Sequence, residues 1–166
     1  MADMPRCGDE EMKIIGNGGH AKVIRSFENR GHPGLVAFVA IGDNHARKLE
    51  AEALKGYIFR ILKHPGAWID ETAKIGEGTV IMAGAIVAAD VHIGRHCIIN
   101  HGATVDHDCV IEDYVHIAPG AHLCGGVMVG EGALVGVGVG IAPGAVIPAW
   151  SLVKARRLEI VPLPGH

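Results

Sequence analysis

From Ile69 to Val153 an aliphatic residue returns at every sixth position: Ile69, Ile75, Ile81, Val87, Ile93, Ile99, Val105, Ile111, Ile117, Leu123, Val129, Val135, Ile141, Ile147 and Val153. Four residues beyond each stands a small side chain, among them Ala73, Thr79, Ala85, Cys97, Ala103, Cys109, Ala121 and Ala133. The position just before the small one is dominated by glycine, at Gly78, Gly84, Gly102, Gly120, Gly126, Gly132, Gly138 and Gly144. Neither a helix nor a heptad keeps a strict period of six on one face. A coil of three short strands does, with two inward apolar groups per hexapeptide and a tight turn where glycine takes a positive φ without strain. Residues eighteen apart then stack on successive coils, ~4.8 Å from one another.

Composition agrees with such a prism. Hydrophobic residues make up 49% of the chain, yet only 4% are aromatic and 24 are glycine, so the core is built from small aliphatic groups in close contact. The 166 residues suffice for one sizeable domain, or for two small units sharing an interface. A formal charge of −3 with no Lys/Arg cluster leaves no electrostatic footprint for nucleic acid or an acidic membrane. The polar start M-A-D-M-P-R-C-G-D-E-E lacks the apolar core of a signal peptide, so a cytoplasmic location is expected. Ala133 to Val153 runs without a charge for about twenty residues, the length of a membrane span, but its Gly and Pro content and unbroken register assign it to the prism. Cys7, Cys97, Cys109 and Cys124 form no C-x-x-C pair and the histidines lack ligand spacing, so neither a disulfide framework nor a metal site is expected.

Upstream, Met12 to Ile15 reads as a strand, Gly16 to Ala21 (G-N-G-G-H-A) as a glycine turn, and the residues to about Asn29 as a helix. Backbone N–H groups at such a helix start point at an anion, which makes Gly16, Asn17, Gly18, Gly19 and His20 candidate substrate-binding residues. No acidic residue follows about twenty positions on to hold a ribose, which argues against NAD. A second strand, L-V-A-F-V-A-I, leads into G-D-N, where Asp43 or Asn44 caps a helix running to about Lys55. The expected organisation is a flexible tail over 1–11, an α/β unit over 12–66 that abbreviates a Rossmann-like βαβ, a parallel β-helix over 67–153 and a C-terminal tail over 154–166.

The start I-I-G-N-G-G-H-A-K-V-I, the turn A-I-G-D-N and the hexapeptides N-H-G-A-T-V-D-H-D-C-V-I and H-I-A-P-G-A together resemble bacterial hexapeptide-repeat sugar acyltransferases of the bacillosamine, perosamine and sialic-acid type. The resemblance runs from Met12 to about Val153. It implies a left-handed parallel β-helix that binds acetyl-CoA, a small N-terminal domain that holds a nucleotide-linked sugar, and a homotrimer with active sites between subunits. The apolar sixth positions Val80, Ile86, Ile98, Val110, Leu134 and Val146 point outward and suit burial against such a partner. The implied activity is acetyl-CoA-dependent N-acetylation of a nucleotide-linked amino-deoxy-sugar. Sugar O-acetylation and a non-catalytic binding or assembly role stand as alternatives.

Within T-V-D-H-D-C-V, Asp106, His107 and Asp108 occupy a corner, where polar groups are displayed without burial. Acetyl transfer from a thioester to an amine needs a base, a group that orients it and a donor for the oxyanion. His107 suits the base. Asp108 either orients its ring or serves as a turn residue in a glycine slot, as Asp90 and His96 do. The backbone N–H of Gly125, one coil above His107, suits the oxyanion donor. The resemblance makes His107 the base and Asp108 its partner. It also puts Asn100 near the sugar amine, His116 against acetyl-CoA or the acceptor, Gly42, Asp43 and Asn44 beside the nucleotide sugar, and Gly136 and Val137 along the pantetheine arm. Lys154, Arg156 and Arg157 either meet the CoA phosphates or form a solvated basic end. Two departures stand out: the short span from Arg30 to Leu35 leaves no room for the strand that helps read the nucleotide base, and A-R-R-L-E-I-V-P-L-P-G-H replaces the usual glycine-rich tail.

Overall fold

The computed structural model of the chain describes residues 13–16 and 36–155. The tail over 1–11, the turn residues Asn17, Gly18, Gly19 and His20, the helix expected after them, and Arg156 and Arg157 lie outside the described residues.

The period of six becomes a three-faced parallel β-helix. Face one stacks β4 (Leu62–Lys63), β7 (Val80–Ile81), β10 (Ile98–Ile99), β13 (His116–Ile117), β16 (Leu134–Val135) and β19 (Leu152–Val153). Face two stacks β5 (Trp68–Ile69), β8 (Ile86–Val87), β11 (Thr104–Val105), β14 (His122–Leu123) and β17 (Gly140–Ile141). Face three stacks β6 (Lys74–Ile75), β9 (His92–Ile93), β12 (Val110–Ile111), β15 (Met128–Val129) and β18 (Val146–Ile147). Every ladder is parallel with an offset of eighteen residues, as in Ile98 with Val80 and His116. The inward aliphatic and small positions merge into one core, with Ile81, Ala85, Val87, Cys97, Ile99, Ala103, Cys109, Val115 and Ile117 all at 0% exposure. The eight glycines of the slot have φ between 63° and 71°, and Asp90, His96, Asp108, Tyr114 and Trp150 take the same conformation. The charge-free stretch after Ala133 forms β16 to β19, and among the described residues no helix is long and apolar enough to cross a membrane.

The prism begins one strand before the boundary expected at residue 67. Leu62–Lys63 already pairs with Val80–Ile81. Lys63 holds the sixth-position register, but as an exposed lysine at the open end of the coil it interrupts the aliphatic series that marks the rest.

Before the prism lies a parallel sheet of β1 (Lys13–Ile15), β2 (Val36–Val39) and β3 (Ile58–Phe59), in that order, with helix α1 (Asn44–Ala53) between β2 and β3. Asp43 is the N-cap, its Oδ1 accepting from the Ala46 N–H at 2.8 Å. The helix stops at Ala53, short of Lys55, because Leu54 leaves helical dihedrals and Gly56 follows at φ 85°. This unit sits on face one. Val80 and Met82 pack with Val36, Phe38 and Ala40, which leaves Val80 4% exposed, and Ile98, one coil on along the same face, is 3% exposed. The expected row of outward aliphatics is therefore split: Val80 and Ile98 are covered within the chain itself, while Ile86, Val110 and Val146 stay exposed on faces two and three.

Candidate active site

Three edges join the faces: the first runs from face one to two, the second from two to three, the third from three back to one. The sequence-predicted residues distribute over all three.

His107 lies on the second edge, after β11. Its N–H donates to Asp106 Oδ1 at 2.8 Å and its Nδ1 lies 2.7 Å from Asp108 Oδ2. The stack fixes both residues, since Asp108 N donates to Ala89 O at 3.1 Å and Gly126 N to His107 O at 2.9 Å. His107 thus stands above Ala89 and beneath Gly125. The hydrogen bond to Asp108 and the charge of Asp106 hold the imidazole pKa above its ordinary 6.5. A methyl group at Gly125 would lie 2.6 Å from His107 Cε1 and 2.7 Å from Nε2, so only glycine leaves the ring its place. Among the described residues the Gly125 N–H makes no hydrogen bond, while its carbonyl accepts from Gly144. Asp108 unites both readings: its backbone fills a glycine slot at φ 59° while its carboxylate holds the histidine ring.

Asn100, Gly136 and Val137 line the first edge. Asn100 is 6% exposed; its Oδ1 accepts from His101 N and lies 2.8 Å from His101 Nδ1, and its Nδ2 lies 3.1 Å from His116 Nε2. His116 stands at an outward sixth position, in register with Val80 and Ile98. It is 8% exposed, because its strand β13 lies on the face that the N-terminal unit covers. Gly136 and Val137 stand two coils above Asn100 and His101, with Val137 exposed, and Lys154 is exposed just after β19.

The third edge receives α1. Gly16 and Gly42 follow the carboxyl ends of the adjacent strands β1 and β2, the end where open α/β sheets bind ligands. Asp43 keeps an exposed carboxylate at the helix start. Asn44, expected beside substrate, is instead used for docking: its Nδ2 donates to Gly132 O at 2.9 Å and Ala133 O at 3.2 Å, and its Oδ1 accepts from Arg47. Sequence reasoning passed over Arg47, which is 1% exposed and bonded to both units. A signal was present, since the helix N-H-A-R-K-L-E-A-E-A has almost no apolar stripe and buries Asn44, Arg47 and Ala51 on one side. Lys48 adds a 2.7 Å ion pair to Glu131, and the His45 ring stacks on Trp150 at 4.1 Å.

The fold thus gathers His107, Asp108 and Gly125 on one edge and Asn100 with His116 around another. Cys97 and Cys109 are core residues; burial drives the Cys97 thiol up to about 12, which rules it out as a nucleophile near neutrality. Among the described residues no group of three or more His, Cys, Asp or Glu side chains is gathered to hold a metal ion.

Residues 72–107 and 108–143 match the family described as bacterial transferase hexapeptide (six repeats). The UDP-N-acetylbacillosamine N-acetyltransferase of Bacillus subtilis is 40% identical over a stretch spanning 45% of this chain and 52% of that protein. The match therefore covers about half the length of that curated relative. Perosamine N-acetyltransferase from Caulobacter crescentus, solved with CoA and GDP-perosamine, superposes with a TM-score of 0.74 at 34% identity over 89% of this chain and 90% of the other. The acetyltransferase domain of PglB from Neisseria gonorrhoeae, solved with acetyl coenzyme A, superposes with a TM-score of 0.77 at 29% identity over 87% and 88%.

Proposed function

The chain belongs to the bacterial hexapeptide transferases, among the sugar N-acetyltransferases related to the bacillosamine and perosamine enzymes, and from that membership we propose that it acetylates the amino group of a nucleotide-linked amino sugar at the expense of acetyl-CoA. His107 Nε2 takes the proton of the sugar amine as nitrogen bonds to the thioester carbon. Asp108 holds Nδ1 and so keeps Nε2 available and the emerging imidazolium compensated. The Gly125 N–H donates to the carbonyl oxygen as it gains charge. The C–S bond breaks, and His107 returns its proton to the departing thiolate. No covalent enzyme intermediate is required. The observation that carries the proposal is the His107 ring, tethered at 2.7 Å to Asp108, lying against Gly125 and with its side chain 62% exposed.

Gly16, Gly42 and Asp43 form the nucleotide-sugar side of the site in this reading, with Asn17, Gly18, Gly19 and His20 completing it. Asn100 and His116 serve the acceptor, and Gly136, Val137 and Lys154 line the CoA path. Because the His107 edge and the Asn100 edge of one chain are separated by face two, a homotrimer that sets them against each other across subunits completes the proposal. Exposed Trp68 and Ile86 on face two and Val110, Met128 and Val146 on face three supply the apolar contact. The test mixes two variants. His107→Ala lowers CoA release at least ~100-fold, and so does Asn100→Ala; mixed, refolded assemblies of the two regain part of the activity. Full turnover by His107→Ala would sink the mechanism, and an absence of complementation would sink the shared site.

A further inference from the structure

Burying a guanidinium is costly unless every donor finds an acceptor. Arg47 meets that demand. Its five N–H groups make five hydrogen bonds: Nε to His96 O at 2.7 Å, Nη1 to Ile41 O at 2.9 Å and Gly42 O at 3.3 Å, and Nη2 to Asn44 Oδ1 at 2.8 Å and Tyr114 O at 2.6 Å. The acceptors fall into two groups. Ile41, Gly42 and Asn44 belong to the turn after β2 and the start of α1; His96 and Tyr114 belong to two successive coils of the prism at its third edge.

We infer that Arg47 is a positioning residue for the acceptor sugar: it sets the Ile41–Gly42–Asp43 turn against the prism, and so fixes where a nucleotide-linked sugar held by that turn presents its amine. The inference rests on the reading of Gly42 and Asp43 as part of the nucleotide-sugar site. The prism is a stiff body whose coils are laddered one to the next by parallel backbone hydrogen bonds on all three faces. The polar links from the turn to the prism are the Arg47 guanidinium and the Asn44 amide; Lys48 with Glu131 and His45 with Trp150 hold α1, and Val36, Phe38 and Ala40 seat the sheet on Val80 and Met82. Loss of the fork leaves α1 attached but lets the turn shift. A shift on the order of 1 Å is enough to cost about 100-fold in productive encounters. Lysine does not substitute, because an ammonium has three donors at one point where five carbonyl and amide oxygens surround a planar fork.

The experiment uses the full chain with Arg47→Lys and Arg47→Met, and follows CoA release with acetyl-CoA varied at fixed UDP-, GDP- or dTDP-linked amino sugar and then the reverse. Thermal unfolding is read alongside. Arg47→Lys is expected to raise the KM for the nucleotide sugar at least about tenfold while the KM for acetyl-CoA stays within about twofold. Arg47→Met behaves likewise or worse. A purely structural role would lower the melting temperature and kcat together with both KM values unchanged, and that outcome overturns the inference, as does a wild-type KM in Arg47→Lys. Failure of the wild-type chain to release CoA with any of the three acceptor sugars would instead refute the reading of the site on which the inference stands.

Discussion

His107 gains two things from the corner it occupies: a carboxylate at 2.7 Å on Nδ1 and a glycine above that leaves room for its ring. The first sets a pH dependence. Since Asp108 and Asp106 raise the imidazole pKa above 6.5 and the base acts in its neutral form, activity falls as pH drops through a midpoint above that value. Asp108→Gly separates the two duties of residue 108. Glycine suits φ 59°, so the melting temperature should hold or rise, whereas turnover should fall at least about tenfold and the midpoint of the pH–kcat/KM profile should move down toward the ordinary histidine value. An unmoved midpoint would mean that Asp108 is a turn residue alone. Gly125 is equally specific, since any side chain there meets the His107 ring before it meets substrate.

At the scale of elements, the third edge carries most of what is unusual. Its glycine slots run Gly78, His96, Tyr114, Gly132, Trp150, and three of them hold rings at positive φ. His96 lies parallel to Tyr114 with centroids 5.4 Å apart and meets the edge of Phe59 at 4.6 Å, and Trp150 stacks on His45 of α1. These rings form the ridge on which the N-terminal unit is seated. Among the described residues His96 has no hydrogen-bond partner at Nδ1, and burial together with the Arg95 and Arg47 charges pushes its pKa down to about 4. Above pH 6.5 the histidine is neutral folded or unfolded and costs nothing. As pH falls from 6.5 toward 4 the unfolded chain takes up a proton that the folded one refuses, so stability is lost by an amount on the order of 3 kcal/mol and then levels off. Urea unfolding of the wild type and of His96→Asn across that window should converge as pH falls; parallel curves would contradict the assignment. Much of this architecture was legible in the sequence, and the reason is steric: an inward slot of a stacked coil accepts little besides Val, Ile, Leu or a smaller group, so the register writes itself into the chain. His96 was legible as a corner residue but not as a buried one, Asn44 read as a helix cap or a substrate contact, and Arg47 as an ordinary polar helix position. Which face of the prism is covered depends on contacts between residues 49 to 89 positions apart, and no local pattern records them.

For the whole molecule, the N-terminal unit covers face one and the third edge, leaving faces two and three open on either side of His107. That division explains why the row of outward aliphatics is half buried, and the exposed half is the surface that the proposed homotrimer would cover. Face two separates the Asn100 edge from the His107 edge, which is why the proposed site is shared between copies of the chain. Acetyl transfer is thus proposed as a property of the assembled prism faces, with the substrate amine delivered by the turn that Arg47 anchors. The proposed reaction passes acetyl from acetyl-CoA to the amine of a nucleotide-linked sugar. The most direct test measures CoA thiol release by the full chain with acetyl-CoA and UDP-, GDP- and dTDP-linked amino sugars, each beside the matching sugar that bears a hydroxyl in place of the amine. Release that requires the amine with at least one nucleotide, and disappears in His107→Ala, is the predicted result; release that is equal for amine and hydroxyl sugars, or that survives loss of His107, would contradict it.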